Sequence, residues 1–294
     1  MRFLYAAPMS AAAVSPWQEV GEHCYRRRYD SYDLNIGVVR GSDALLLIDT
    51  RCHDREAAEL LDELKVFGAA PIRWIVNTHW HFDHTFGNAA VARAAAPTVE
   101  IWGHRVMRDE LLRWSDDARA RHTVNRPEWT ADFEAVEIVA PDRVFDDVAV
   151  VDLGDRSVRL QYFGPAHTGG DLVAFVDDAR VVFAGDLVEE SAPPSFGPDC
   201  HVLDWPVCNA AMLGHISDAA TLVPGHGDVV DRAFVARQLA DLVTVADLIR
   251  ELHDDGVGVN EIIAAGRGRW PFPEECFVEA VGPGYAARTR ETRA

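Results

Sequence analysis

Asn77-Thr78-His79-Trp80-His81-Phe82-Asp83-His84 sets the tightest demand on any fold for this chain, because its last six residues hold three imidazoles and a carboxylate. The run follows residues 72–77, which read as a short buried strand. In extended backbone, residues two apart point the same way, so His79 and His81 can grip one ion. The chain then turns, and Asp83 and His84 can reach a second ion beside it. The demand recurs further along. His167 stands in Gly164-Pro165-Ala166-His167-Thr168 after a segment at 158–163 that reads as a strand. Asp186 stands in Ala184-Gly185-Asp186 after 181–184, and His226 in Pro224-Gly225-His226-Gly227 after 221–223. Four strand ends therefore deliver histidine or aspartate through turns rich in glycine and proline. That placement holds ligands rigidly and leaves one side open to solvent.

The rest of the pattern suggests where those strands sit. Residues 34–40 and 44–49 read as strands joined by Gly41-Ser42-Asp43, a hairpin signal. Residues 54–67 carry leucines at 60, 61 and 64 opposite a charged face, with Gly68 as a stop, and predict an amphipathic helix. Residues 88–96 and 104–114 predict helices flanking a strand at 98–102. Residues 114–133 are polar without clear periodicity and read as an insertion over the surface. Strands follow at 148–153, 158–163, 172–176 and 181–184, then helices at 205–219 and 231–254 on either side of a strand at 221–223. Two β-rich halves with helices outside predict an α/β fold, a four-layer αβ/βα sandwich of two mixed β-sheets. The expected organisation is an N-terminal extension at 1–16, the main domain at 17–255, and a short C-terminal appendage and tail at 256–294.

Composition removes several functions. The formal charge of −19 repels phosphate backbones and argues against a nucleic-acid partner. Lys65 is the single lysine, and its charged, helix-like surroundings read as solvated rather than as a Schiff-base site. The five cysteines are irregularly spaced with no CxxC, as in a cytoplasmic protein with reduced thiols. The first residues hold one arginine and a weak apolar run broken by Pro8 and Ser10, a poor signal peptide. No stretch approaches the ~18 apolar residues of a membrane span. The expected partner is a small-molecule substrate, without nucleic acid or membrane, and self-association stays open. His23, His53, His104, His122, His201, His215 and His253 read as ordinary structural histidines. Asp171 reads as a loop aspartate capping a strand.

The run HWHFDH, the His167 loop, the Asp186 turn and the His226 loop together resemble the metallo-β-lactamase-fold hydrolases, in the family's order and across roughly residues 17–250. The resemblance implies that His79, His81 and His167 hold one metal. It implies that Asp83, His84 and His226 hold a second and that Asp186 bridges both, a glyoxalase II-like dinuclear pattern. Zinc β-lactamases proper place cysteine at the Asp186 position or lack the bridging carboxylate, which points away from an antibiotic-degrading enzyme. Glyoxalase II-like enzymes carry a larger basic helical region at the C-terminus; here no lysine follows His226. The expected activity is hydrolysis of an ester-like bond (thioester, lactone or lactam) by a dinuclear zinc-bound hydroxide, with Zn2+ as cofactor, two per chain. Two divalent ions with two aspartates, five neutral histidines and a hydroxide leave the centre positive, where an oxyanion would develop. A zinc-bound water can have its pKa lowered to ~7. Asp83 is the expected catalytic residue, orienting the nucleophile and passing a proton to the leaving group. The competing reading is an oxidoreductase resembling the persulfide dioxygenases of the same fold, with one iron, since nitrogen and carboxylate ligands also suit Fe. Trp80, Phe82 and Phe86 are candidates for the entrance wall, residues 191–200 for a loop at its mouth, and His122 or Arg126 for contact with an anionic substrate.

Overall fold

The computed structural model describes residues 17–293. The extension at 1–16, and the reading of it as a poor signal peptide, lie outside the described residues. Seven strands form one sheet in chain order: β1 (Gln18–Gly21), β2 (Cys24–Arg28), β3 (Asn35–Arg40), β4 (Leu45–Ile48), β5 (Ile72–Val76), β6 (Glu100–His104) and β7 (Arg143–Phe145). Pairing is antiparallel from β1 to β4 and parallel from β4 to β7. The second sheet has the order β12-β11-β10-β9-β8, from β8 (Val148–Asp152), β9 (Ser157–Tyr162), β10 (Leu172–Val176), β11 (Val181–Glu189) and β12 (Thr221–His226). Its pairs are antiparallel except β11 with β12, which run parallel. Both sheets are therefore mixed.

The helices are α1 (Asp54–Glu63), α2 (Phe82–Thr85), α3 (Asn88–Ala94), α4 (Arg105–Asn125), α5 (Thr130–Ala135), α6 (Trp205–Leu213), α7 (Arg232–Asp254), α8 (Ile262–Ala265) and α9 (Val281–Glu291). Strand periodicity sorts the apolar side chains into three layers. Leu46 and Ile48 of β4 face Leu172, Ala174 and Val176 of β10 between the sheets. Leu45 and Leu47 face away, onto Ala57 and Leu60 of α1, Met107 and Leu111 of α4 and Phe133 of α5. Val173 and Phe175 of β10 likewise turn outward to Trp205 of α6 and to Leu242, Val245 and Ile249 of α7. Three apolar layers separate four layers of structure, the αβ/βα sandwich.

Two local expectations change. Residues 114–133 are not an irregular insertion: α4 continues to Asn125 and α5 follows. The buried stripe of α4 is Met107, Leu111, Ser115 and Ala118, so its second half packs small side chains and shows no large apolar period. The helix expected at 205–219 stops at Leu213, where Gly214 caps it. Strands β1 and β2 escaped sequence reading because Cys24-Tyr25-Arg26-Arg27-Arg28 is strongly basic. Arg26 and Arg27 are nevertheless buried, bonded to Asn35 and Asp228 and to Glu63 respectively. Residues 256–293 contribute Ile262, Phe277, Ala280 and Val281 to the same apolar layer as α7. Lys65 is exposed and paired with Asp62, and all five cysteines are free.

Candidate metal centre

The site lies at one end of the two sheets. Residues 77–84 and His167 follow β5 and β9, and His226 ends β12. Asp186 stands inside β11, which runs on to Glu189 instead of turning at 184–186. Residues 77–84 leave β5 and turn into α2, a turn cross-linked from three sides. Thr50 donates its N–H to the His84 carbonyl at 2.9 Å, Asn77 Nδ2 donates to the same oxygen at 3.2 Å, and Asn77 and Asn88 exchange hydrogen bonds. His226 is carried by the end of β12, which Asn35 of β3 ties to the first sheet by donating to the Pro224 and Gly227 carbonyls. Asp186 projects from β11 just after a register shift at Gly185, whose φ of 53° is left-handed. A Cβ there would also stand 2.8 Å from that of Thr78, so glycine alone fits.

The structure brings all seven sequence-predicted residues together. His79, His81, His167 and Asp186 form one group and Asp83, His84 and His226 another, each with donor atoms within 4.8 Å of one another. Asp186 lies between the groups. Its Oδ2 is 3.7 Å from His79 Nε2, 3.4 Å from His167 Nε2 and 3.2 Å from His226 Nε2, and its Oδ1 is 3.2 Å from His84 Nε2. Asp83 Oδ2 is 3.7 Å from His84 Nε2 and 3.5 Å from His226 Nε2.

Each histidine has one ring nitrogen tied to a partner outside the cluster. His84 Nδ1 meets Asp49 Oδ2 at 2.8 Å, His226 Nδ1 the Tyr32 carbonyl at 2.7 Å and His167 Nδ1 the Ser195 carbonyl at 3.0 Å. His79 Nδ1 meets Thr78 Oγ1 at 3.1 Å, and that hydroxyl donates to Asp49 at 2.8 Å. His81 Nε2 meets Asp199 Oδ2 at 3.0 Å. If the outer nitrogens carry the protons, five bare lone pairs face inward. Among the described residues, His79 Nε2, His84 Nε2 and Asp186 Oδ1 are buried with no hydrogen-bond partner. His167 Nε2 and His81 Nδ1 face each other at 2.9 Å. Buried lone pairs turned on one another are costly, and a shared cation satisfies them. The donor set therefore fits divalent metal.

Electrostatics say the same. Burial opposes charge on His84 and His226, but Asp186 overcomes it, pushing His84 well above the ordinary histidine range and His226 up to about 10. Burial and neighbouring imidazoles hold His79 well below that range and His167 down at about 4. Without an ion, protons stand in on the nitrogens nearest the carboxylates.

Sequence reading missed Asp49 and Asp199. Asp49 ends the chain run after β4 and accepts from Thr78 N–H and Oγ1 as well as His84, at 2.8 Å each. A buried aspartate directly after an apolar strand was the available signal. Asp199 had none, because it reaches His81 from 118 residues away. Asp171 accepts from Thr168 N–H and Oγ1 and caps its own loop. Phe86 is core, and Phe82 stacks on His122 at 3.6 Å. Arg126 lies over the Tyr32 and Trp129 rings, 5.1 and 5.2 Å from their centroids.

A family model of the metallo-beta-lactamase superfamily matches residues 32–226, and the chain belongs to that superfamily. It is an enzyme, a metal-dependent hydrolase. Among curated relatives, the acyl-coenzyme A thioesterase MBLAC2 of Homo sapiens is 26% identical over 230 residues, covering 74% of this chain and 81% of its own. Among solved structures, a variant of the sec-alkyl sulfatase PisA1 is similar with a TM-score of 0.74 and 17% identity, over 94% of this chain and 50% of its own. A metallo-beta-lactamase from Pontibacter korlensis has a TM-score of 0.58 and 19% identity, over 77% and 98%. No helix among the described residues is long and apolar enough to cross a membrane.

Proposed function

We propose that this chain is a dinuclear zinc hydrolase of ester-like bonds, with a thioester as the favoured substrate class. The observation that carries it is Asp186, whose two oxygens lie between two complete donor groups. His79, His81 and His167 would hold one ion and Asp83, His84 and His226 the other, with Asp186 shared. Ions in such a cage supply a water acidified to a pKa of ~7 and a Lewis acid for the carbonyl oxygen. The chain's own residues do the rest. Asp49, Tyr32, Thr78, Ser195 and Asp199 hold the five rings with bare nitrogens inward, so little reorganisation accompanies the reaction. Asp83 orients the attacking water, takes its proton and returns it to the leaving group. The thioester preference rests on similarity to the human thioesterase, and the deep negative charge of the chain suits a small-molecule substrate better than a nucleic acid.

The test is a panel of thioester, lactone, β-lactam and phosphodiester substrates with metal content measured on the same preparation. Two zinc ions per chain and thioester turnover are expected. One iron per chain with oxygen consumption would overturn the hydrolase mechanism in favour of an oxygenase. Asp83→Ala should lower kcat roughly 100- to 10,000-fold, the usual range for loss of a general acid–base group. Turnover at the wild-type rate would remove Asp83 from its role.

A further inference from the structure

The segment between β11 and α6 touches two histidines of the cluster. At its start, Glu189 Oε1 accepts the Ser195 N–H at 3.1 Å, and the Ser195 carbonyl in turn accepts from His167. At its end, the Cys200 N–H donates to the Gly197 carbonyl at 3.1 Å, closing a turn that carries Asp199. The His201 N–H then donates to the Ala166 carbonyl at 2.8 Å, fastening the segment beside the His167 loop. Asp199 Oδ2 receives two donors, His81 Nε2 at 3.0 Å and Trp80 Nε1 at 2.9 Å.

His81 differs from the other four histidines of the cluster. They tie Nδ1 outward and present Nε2, whereas His81 ties Nε2 outward and presents Nδ1, 2.9 Å from His167 Nε2. A neutral imidazole offers one acceptor nitrogen, and the partner of the other nitrogen selects which. Asp199 is the partner here, and the Trp80 indole fixes the direction of its carboxylate.

We propose that Asp199 is a positioning residue of the metal centre. It locks His81 in the Nε2–H tautomer and turns Nδ1 toward the ion shared with His79 and His167. The inference rests on the two-ion reading above. A carboxylate behind a ligating histidine also raises the ligand's basicity, and loss of such a partner typically costs roughly 10- to 100-fold in metal affinity.

The test strips the full chain with a chelator and titrates it with zinc or cobalt(II) against a chromophoric competitor. Wild-type protein should bind two ions. Asp199→Ala should weaken one binding event roughly 10- to 100-fold, leave the other in place, and shift the visible cobalt spectrum. Its metal-free unfolding temperature should stay within a few degrees of wild type, since the Asp199 side chain is 22% exposed. Asp199→Asn keeps an acceptor oxygen without the charge and should recover part of the loss. Equal affinities and an unchanged spectrum in Asp199→Ala would overturn the assignment. Should that variant fail to fold, wild-type affinity for both ions in Asp199→Asn would overturn it instead. Wild-type protein that takes up one ion or none would sink the two-ion reading itself, a separable result.

Discussion

Gly225 is the point at which one methyl group should dismantle the centre. A Cβ built there stands 1.8 Å from Asp186 Oδ1 and 3.0 Å from Asp186 Cγ, where ordinary contact begins near 3.4 Å. Its φ is not among the left-handed ones, so the effect is steric, and the Gly185 backbone carbon, also 3.0 Å from that Cβ, adds to it. The carboxylate would have to retreat by about 1.6 Å, the gap between contact and clash. It has nowhere to go: Asp186 is 5% exposed and four imidazoles lie within 3.7 Å of its oxygens. Overpacking of this kind costs about 1–3 kcal/mol, which for a domain this large lowers Tm by roughly 2–10 °C. Misplacing a reacting group by ~1 Å costs on the order of 100-fold in rate. Gly225→Ala should therefore fold, retain at most one ion per chain, and release thiol from a thioester at least ~100-fold more slowly. Thiol release followed with a chromogenic disulfide, with metal analysis of the same sample, reads both. Gly282→Ala, where a methyl meets nothing within 4 Å, is the control and should match wild type. Two ions and full activity in Gly225→Ala would refute the claim that Asp186 has one workable position.

Three further outcomes follow from the same structure. Asp49→Ala strands His84 Nδ1 and the Thr78 donors in a fully buried site, so stability should fall by about 3–5 kcal/mol in a denaturant titration; a loss below 1 kcal/mol would count against that network. Because Asp186 holds His84 and His226 above the ordinary histidine range, both carry protons at pH 7 in the metal-free protein, and ion binding should expel at least two. Affinity then rises with pH, and the raised pKa values stabilise the metal-free fold at low pH, an advantage lost as pH climbs through about 10. Calorimetry in buffers of differing ionisation enthalpy measures the release, and a value near zero contradicts the charge assignment. Phe277→Ala removes a fully buried ring and should cost about 3–5 kcal/mol in thermal or chemical unfolding, with metal content unchanged; an unaffected Tm would mean that the C-terminal segment lies outside the core.

Much of the site was legible because its chemistry is local. His79, His81, Asp83 and His84 are neighbours in sequence, and His167, Asp186 and His226 each come after a strand-like segment and next to or near glycine and proline, although Asp186 and His226 prove to lie within their strands. The strands themselves show through period-two burial, as in β4 and β10, whose alternate residues serve different layers. The second half of α4 hid because Ser115 and Ala118 are small, and β2 hid because its arginines are neutralised by residues distant in the chain.

Donor identity and order were therefore written into the chain, since each depends on a residue and the few beside it. Which nitrogen of each imidazole faces inward was decided only by tertiary structure. That choice belongs to whatever meets the opposite nitrogen. His79 meets its neighbour Thr78, itself held by Asp49 from 29 residues away. Other partners come from further: Asp49 to His84 across 35 residues, Asp199 to His81 across 118 and Tyr32 to His226 across 194. A hydrogen bond acts over about 3 Å of space and is indifferent to separation along the chain, so no linear pattern records it.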